Sequence, residues 1–285
     1  MFECVANVSE GRRLDVIEEL TRTAGASLRD VHRDSFHNRS VFTLIDDIQP
    51  LADGVRALAR SALELVDLRA HEGVHPRFGV LDVVPFVALD ANQAPVARTL
   101  RDETAHWLAD TCGVPVFLYG ELDDGTTRTL PEVRRRAFTS LAPDRGPERP
   151  DPACGASAVG ARGVLVAWNL WLRGVSLSDA SNAATAIRTS TVRSLAFSLG
   201  EFVQVSCNLI EPVEVGPSTV YDQVAALLPR GSIDHAELVG LLPRAVLEKE
   251  DPARWEQLGL SRETTIEARL ASAGLRPTFD GSGPA

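Results

Sequence analysis

The stretch HEGVHPRFGVLDVVPF, residues 71–86, changes character at its centre. Its first half is polar, with two histidines, a proline and a glycine, whereas GVLDVVPFVAL, from Gly79 to Leu89, is an apolar run of strand length. His71-Glu72-Gly73-Val74-His75 also satisfies the pattern in which two histidines a helical turn apart bind zinc and the glutamate between them is a general base. That pattern has meaning only on a continuous helix. Gly73 interrupts it, and Pro76 pushes His75 out of helical geometry. The stretch therefore reads as a loop entering a strand. A third zinc ligand would have to come from His32, His37, His106, His235 or scattered carboxylates, and no metal is expected.

A rigid loop at a strand mouth is where a general acid or base can be held accurately. His75 lies nearer the strand than His71 and is braced by Pro76, so it is the stronger catalytic candidate, with His71 in support. The plain alternative is a charged helix exit with solvated side chains.

Working outward, Phe2–Val8 predicts a strand, with Ser9 as the cap of a helix whose apolar face is Val16, Ile17 and Leu20. Strands are expected over Ser27–His32, Ser40–Ile45 and Gly79–Leu89, with a helix over Pro50–Leu68. A helix at Ala94–Ala109 and the strand VPVFLYGE extend this half. The proline-rich run APDRGPERPDPACGAS, 142–157, reads as the internal boundary. Beyond it, VLVAWNLWL, SLAFSL, FVQVSCNLI and HAELVGLLP predict strands, and Ser178–Thr191 and Pro217–Leu228 predict helices. Both halves run strand, helix, strand, strand, helix, strand. The expected fold is α+β, two similar ferredoxin-like βαββαβ subdomains with a cleft between them, at 1–155 and 156–250, followed by a partly disordered extension over 251–285.

Composition narrows the function. The 285 residues are 44% hydrophobic and carry a formal charge of −10, with basic residues dispersed, so a nucleic-acid partner is not expected. Lys249 is the only lysine, and it lies in a charged run near the C-terminus, which disfavours Schiff-base chemistry. Cys4, Cys112, Cys154 and Cys207 form no CxxC pair and read as packing or lining residues. No run of about 18 apolar residues is present and the N-terminus has no signal-peptide pattern, so neither a membrane span nor export is expected, and the setting reads as cytoplasmic.

Several stretches coincide, in order, with one family. ECVANVSEGR (3–12), HNR (37–39), HEGVHPRFGVLDVVPF (71–86), VPVFLYGE (114–121), APDRGP (142–147), GASAVGAR (155–162) and ELVGLLP (237–243) resemble the glutamate formiminotransferase family. The resemblance implies transfer of a formimino group from N-formimino-L-glutamate to N5 of tetrahydrofolate, by two βαββαβ subdomains around a folate-binding cleft. It makes His75 the general acid/base. It also makes Gly146, Pro147, Glu148, Arg149, Pro150, Asp151, Pro152, Ala153, Cys154 and Gly155 a folate-contacting loop. Asn7 and Asn38, at strand mouths, are candidates to orient substrate. Arg39 and Arg77 are candidates to bind its carboxylate, and Asn169 and Asn208 are lower-ranked contacts. Partners are then small molecules, tetrahydrofolate serving as co-substrate, and a homodimer is compatible with this.

Some positions depart from the family pattern. Glu72 and Val74 stand where the family commonly has lysine and glutamate, which changes the placement of the acidic group beside His75, and Ser35-Phe36-His37 is bulkier than the usual run. Glu148 to Asp151 is more charged, and Ala6 replaces a common proline. The alternatives are a related folate-dependent one-carbon transferase with another donor, and a non-catalytic folate-binding homologue.

Overall fold

Alternation in FECVANV puts Phe2, Cys4, Ala6 and Val8 on one face of strand β1 (Phe2–Val8). All four are buried in the computed structural model, which describes residues 1–275. The chain divides into two units, Met1–Gly163 and Val164 onward.

In the first unit β1 is followed by α1 (Leu14–Ala24), β2 (Leu28–Asp34), β3 (Arg39–Asp46), α2 (Ile48–Leu65) and β4 (Leu81–Ala88). After these come α3 (Ala94–Cys112), β5 (Val116–Glu121), β6 (Thr127–Arg128), α4 (Leu130–Arg136) and β7 (Ser157–Arg162). The sheet order is β2-β3-β1-β4-β7-β5-β6. Its first four strands are antiparallel neighbours with the split connectivity of a ferredoxin-like unit. Helices α1, α2 and α3 lay Leu20, Leu51, Leu58, Leu100 and Leu108 against the face that carries Phe2, Cys4, Phe42 and Phe86. Helix α4 covers part of the other face, where Val133 joins Val83, Phe117, Tyr119 and Ala158.

β4 is the central element, and all eight of its residues are buried. Pro85 sits in its middle without an N–H to give. The β1 to β4 ladder is accordingly open between Cys4↔Phe86 and Asn7↔Val83, the stretch opposite Pro85, while the register itself shifts only between Asn7 and Val8. On the other side Pro85 pairs with Gly160 in β7. A Cβ on Gly160 would fall 2.2 Å from the Tyr119 ring, so that glycine is what lets the ring lie across the sheet.

β7 places the proline-rich run differently from the linker expected at 142–157. It inserts parallel between β4 and β5, and the first unit continues to Gly163, past residue 155. The run folds back instead. Asp144 Oδ2 accepts from Leu118 N (2.7 Å) and Arg128 Nη1 (2.6 Å), and the Arg145 carbonyl accepts from Val116 N. Proline density suppressed regular structure here without freeing the chain from the sheet.

The second unit contains β8 (Val166–Leu172), α5 (Leu177–Ala186), β9 (Val192–Leu199), β10 (Phe202–Leu209), α6 (Pro217–Leu227), β11 (Ile233–Val239), α7 (Arg244–Lys249) and α8 (Ile266–Ser272). Its antiparallel order, β11-β8-β10-β9, is again ferredoxin-like. Helix α5 stops at Ala186, short of the expected Thr191, because the Thr189 hydroxyl accepts from the backbone N–H groups of Thr191 and Val192 and turns the chain into β9. Residues 251–275, expected to belong to an extension, contribute Leu258 and Leu260 to this core, and the Leu258 carbonyl accepts from Trp168 Nε1 at 2.8 Å. The rest of that extension, residues 276–285, lies outside the described residues. Among the described residues no helix is long and apolar enough to cross a membrane.

Candidate active site

Residues 71–78 form no helix, so the two histidines of HEGVH have no shared helical face. The loop is fixed instead by glycine and by Asn38. A Cβ on Gly79 would sit 1.8 Å from the Ala156 carbonyl oxygen, and one on Gly73 would sit 2.3 Å from that of His37. The first approach stitches the two motif loops together. Gly79 bridges Gly155, Ala156 N donates to the Phe78 carbonyl (2.7 Å), and Val80 N donates to that of Cys154 (2.8 Å). The expected folate loop thus closes directly against the mouth of β4.

Asn38 joins three further segments. Its φ of 48° lies in the left-handed region, which asparagine tolerates better than most residues. Oδ1 accepts from Gly11 N (2.9 Å), while Nδ2 donates to the Glu72 carbonyl (2.8 Å) and to His71 Nδ1 (3.2 Å). A neutral His71 therefore carries its proton on Nε2. Ser9 is not the expected helix cap. Its hydroxyl donates to the Gly79 carbonyl at 2.8 Å, and Glu10 Oε1 takes the Arg12 and Arg13 N–H groups that precede α1.

His75 sits at the centre of a charged cluster. Arg39 Nη1 lies 2.9 Å from His75 Nδ1 and donates at 2.9 Å to Asp82 Oδ2, while its Nε donates to Asn7 Oδ1 at 3.0 Å. Arg134, from α4, donates through Nη2 to the same Asp82 oxygen (2.6 Å) and through Nη1 to the Pro76 carbonyl (3.1 Å). Asp82 Oδ1 accepts from Phe78 N at 3.0 Å. Arg77 Nη2 donates to the carbonyl of His75 at 2.8 Å. The His37 ring stands edge-on to His75 at 5.6 Å. One carboxylate, 1% exposed, thereby answers two guanidinium groups and a backbone N–H.

Asn7, Asn38, Arg39, Arg77 and His75 thus come together, and of the 146–155 loop the end at Cys154 and Gly155 is paired to the neighbouring Phe78–Val80 segment. Arg39 and Arg77, expected to bind a substrate carboxylate, are engaged within the chain. Asn169 and Asn208 lie on the second unit's sheet, on the face opposite α5 and α6. Asn169 Nδ2 donates to Glu237 Oε2 (3.2 Å), an oxygen that also accepts from Trp171 Nε1 (2.9 Å), and Asn208 is exposed. Cys4 and Cys207 are core residues, while Cys112 and Cys154 are half-buried.

Sequence reasoning missed Asp82 and Arg134. Asp82 did carry a signal, as the one carboxylate inside the apolar run GVLDVVPFVAL, where a charge must find partners. Arg134 carried none, because nothing in LPEVRRR relates it to a loop more than fifty residues earlier.

Burial, with the neighbouring guanidinium groups, pulls His75 down to about 2 and His71 down to about 4, from an ordinary value near 6.5. Both rings are neutral near neutrality. As pH falls through 6.5 the unfolded chain binds a proton at each ring and the folded chain does not, so stability declines from about pH 6.5 toward 4. Glu3 has the opposite sign. Burial raises its carboxyl to about 7, so between about 7 and 4.5 the folded chain holds a proton there that the unfolded chain lacks. Urea midpoints should therefore fall between about pH 7.5 and pH 5 in the wild type, and hold or rise in a His71→Asn, His75→Asn double variant. An equal fall in both would remove the rings as the cause.

Among the described residues, no group of three histidine, cysteine or acidic side chains is arranged to hold a metal ion. Comparison with known proteins adds a family. Residues 1–162 match the model of the formiminotransferase domain, N-terminal subdomain. The chain is 34% identical over 273 residues to a glutamate formimidoyltransferase of Thermoplasma acidophilum, covering 87% of this chain and 89% of the relative. It is 36% identical over 207 residues to one of Streptococcus pyogenes serotype M1, covering 67% and 68%. A formimidoyltransferase-cyclodeaminase of Gallus gallus is 33% identical over 285 residues, and the match covers 87% of this chain but only 51% of that longer protein.

Proposed function

The chain belongs to the formiminotransferase family, and we propose that it transfers the formimino group of N-formimino-L-glutamate to N5 of tetrahydrofolate, with His75 as the general acid/base. The observation that carries the reading is the His75 ring at the mouth of β4, its Nδ1 2.9 Å from Arg39 Nη1, with Arg39 and Arg134 sharing the Asp82 carboxylate.

The N5 lone pair adds to the formimino carbon and gives a tetrahedral species. Over the reaction N5 must lose a proton, and the glutamate nitrogen must gain one as its bond to carbon breaks. A single ring between the two nitrogens can make that exchange. Holding both substrates together removes much of the entropic barrier, so no covalent enzyme intermediate is required. The 146–155 loop supports the folate assignment by its rigidity and position. The Asp151 carbonyl accepts from Cys154 N and Gly155 N, Asp151 Oδ1 accepts from Ala153 N, and the loop's end is paired to Phe78–Val80. It offers backbone donors and acceptors to a planar ligand.

A second reading, a related transferase with another donor, is favoured by the internal engagement of Arg39 and Arg77. A donor panel separates the two. Purified protein with tetrahydrofolate should release glutamate from N-formimino-L-glutamate in step with modification of N5, and should leave N-formyl-L-glutamate and N-formiminoglycine largely unused. Turnover confined to one of the other donors would replace the first reading by the second.

A further inference from the structure

A guanidinium can only donate a hydrogen bond and a carbonyl can only accept one. Yet His75 Nδ1 lies 2.9 Å from Arg39 Nη1 and 2.7 Å from the Pro76 carbonyl oxygen. One nitrogen cannot answer both. If Nδ1 accepts from Arg39, the proton of the neutral ring is on Nε2 and the Pro76 carbonyl needs another donor. If Nδ1 is protonated, an Arg39 N–H is turned against a second N–H.

Arg134 decides between these states. Its Nη1 supplies the Pro76 carbonyl with a charged donor, and its Nη2 shares Asp82 Oδ2 with Arg39, fixing the carboxylate that aims Arg39 at the ring. The Arg134 guanidinium is itself placed, 5.5 Å from the Phe78 ring centroid, on a helix whose first turn is closed by the reciprocal Thr129 and Glu132 capping bonds.

We propose that Arg134 is a positioning residue which, through the Pro76 carbonyl and Asp82, keeps the proton of neutral His75 on Nε2, so that the ring acts as donor first. This rests on His75 as the proton carrier. When the bond between carbon and the glutamate nitrogen breaks, its electron pair takes the Nε2 proton. The Nε2 lone pair left behind then takes the proton from N5, and the ring is restored. Arg39 on β3 and Arg134 on α4 face the ring and offset the negative charge that builds on it between the two transfers. The other groups around it are Asp82 on β4, His37 in the loop before β3, and Arg77 on the ring's own loop.

The test is long-range proton–nitrogen NMR of the folded protein with labelled histidine at about pH 8, paired with kinetics. The wild type should show a protonated Nε2 and an unprotonated Nδ1. Arg134→Gln frees the Pro76 carbonyl and should move protonation toward Nδ1, with kcat down by about 10- to 100-fold, as for other orienting partners, and KM for tetrahydrofolate within about threefold. Arg134→Lys keeps the charge and should restore part of kcat. A wild type protonated mainly on Nδ1 overturns the proposal whether or not the variants fold. So does an Arg134→Gln protein with unchanged tautomer and kcat. If the wild type transfers no formimino group, the functional reading fails while the NMR result still decides the role of Arg134.

Discussion

Replacing His75 with alanine should lower kcat by about 10²- to 10⁴-fold, the range expected when a general acid/base is removed. The cluster predicts how the loss divides. The loop is held by Asn38, Arg77 and the Gly79–Gly155 bridge rather than by the imidazole, so the protein stays folded and tetrahydrofolate still binds. KM should change little, the pattern of an interaction made in the transition state. The pH profile gives a second mark. Because burial and Arg39 hold the free ring neutral down to about 2, the acidic limb of kcat/KM in the wild type should show no break near 6.5 from His75. Steady-state kinetics with circular dichroism on the same samples check both points. A variant with wild-type kcat would take His75 out of the chemistry.

The second large effect belongs to Asp82. Its carboxylate is 1% exposed, and it is the counter-ion of Arg39 and Arg134, whose side chains are 15% and 21% exposed. Asp82→Ala leaves two guanidinium groups facing each other with their shared acceptor gone, and a buried pair broken on one side costs about 3–5 kcal/mol. Phe78 N also loses its acceptor at the entrance to β4. Urea unfolding should show the loss as a lower midpoint with an unchanged slope, and turnover should collapse with it because nothing then aims Arg39 at His75. Asp82→Asn keeps the shape but not the charge and should fall between the two. An Asp82→Ala protein as stable as the wild type would mean that the cluster does not hold this end of the sheet.

Much of the fold was legible because period and order carry it. Alternation in β1 and β10, helical spacing in α1 and α2, and the repeated order of six elements were enough for two ferredoxin-like units. What was not legible was pairing between distant strands. Nothing in GASAVGAR says that β7 enters the first sheet between β4 and β5. Small residues such as Gly160 are needed there to make room for Tyr119, and their lack of bulky apolar side chains hides the strand.

The candidate site divides in the same way. His75 stood out because Pro76 and the following apolar run defined a braced loop, and Asn7, Asn38 and Arg39 were found at strand mouths. Their roles were harder to read. A guanidinium beside a catalytic residue suggested a substrate clamp, whereas Arg39 is engaged by Asp82, a partner hidden in an apolar strand. The literal HExxH pattern gave way to local geometry, since Gly73 approaches the His37 carbonyl too closely to carry a side chain and residues 71–78 form no helix.

The most direct measurement is transfer of an isotopically labelled formimino carbon, followed by carbon NMR with equal amounts of folded wild type and His75→Asn protein. The account predicts that the wild type moves the label from N-formimino-L-glutamate to N5 of tetrahydrofolate and frees one glutamate for each label moved, while the variant binds tetrahydrofolate and leaves the label on the donor. Label remaining on the donor in the wild type, or moving equally fast in both proteins, would contradict it.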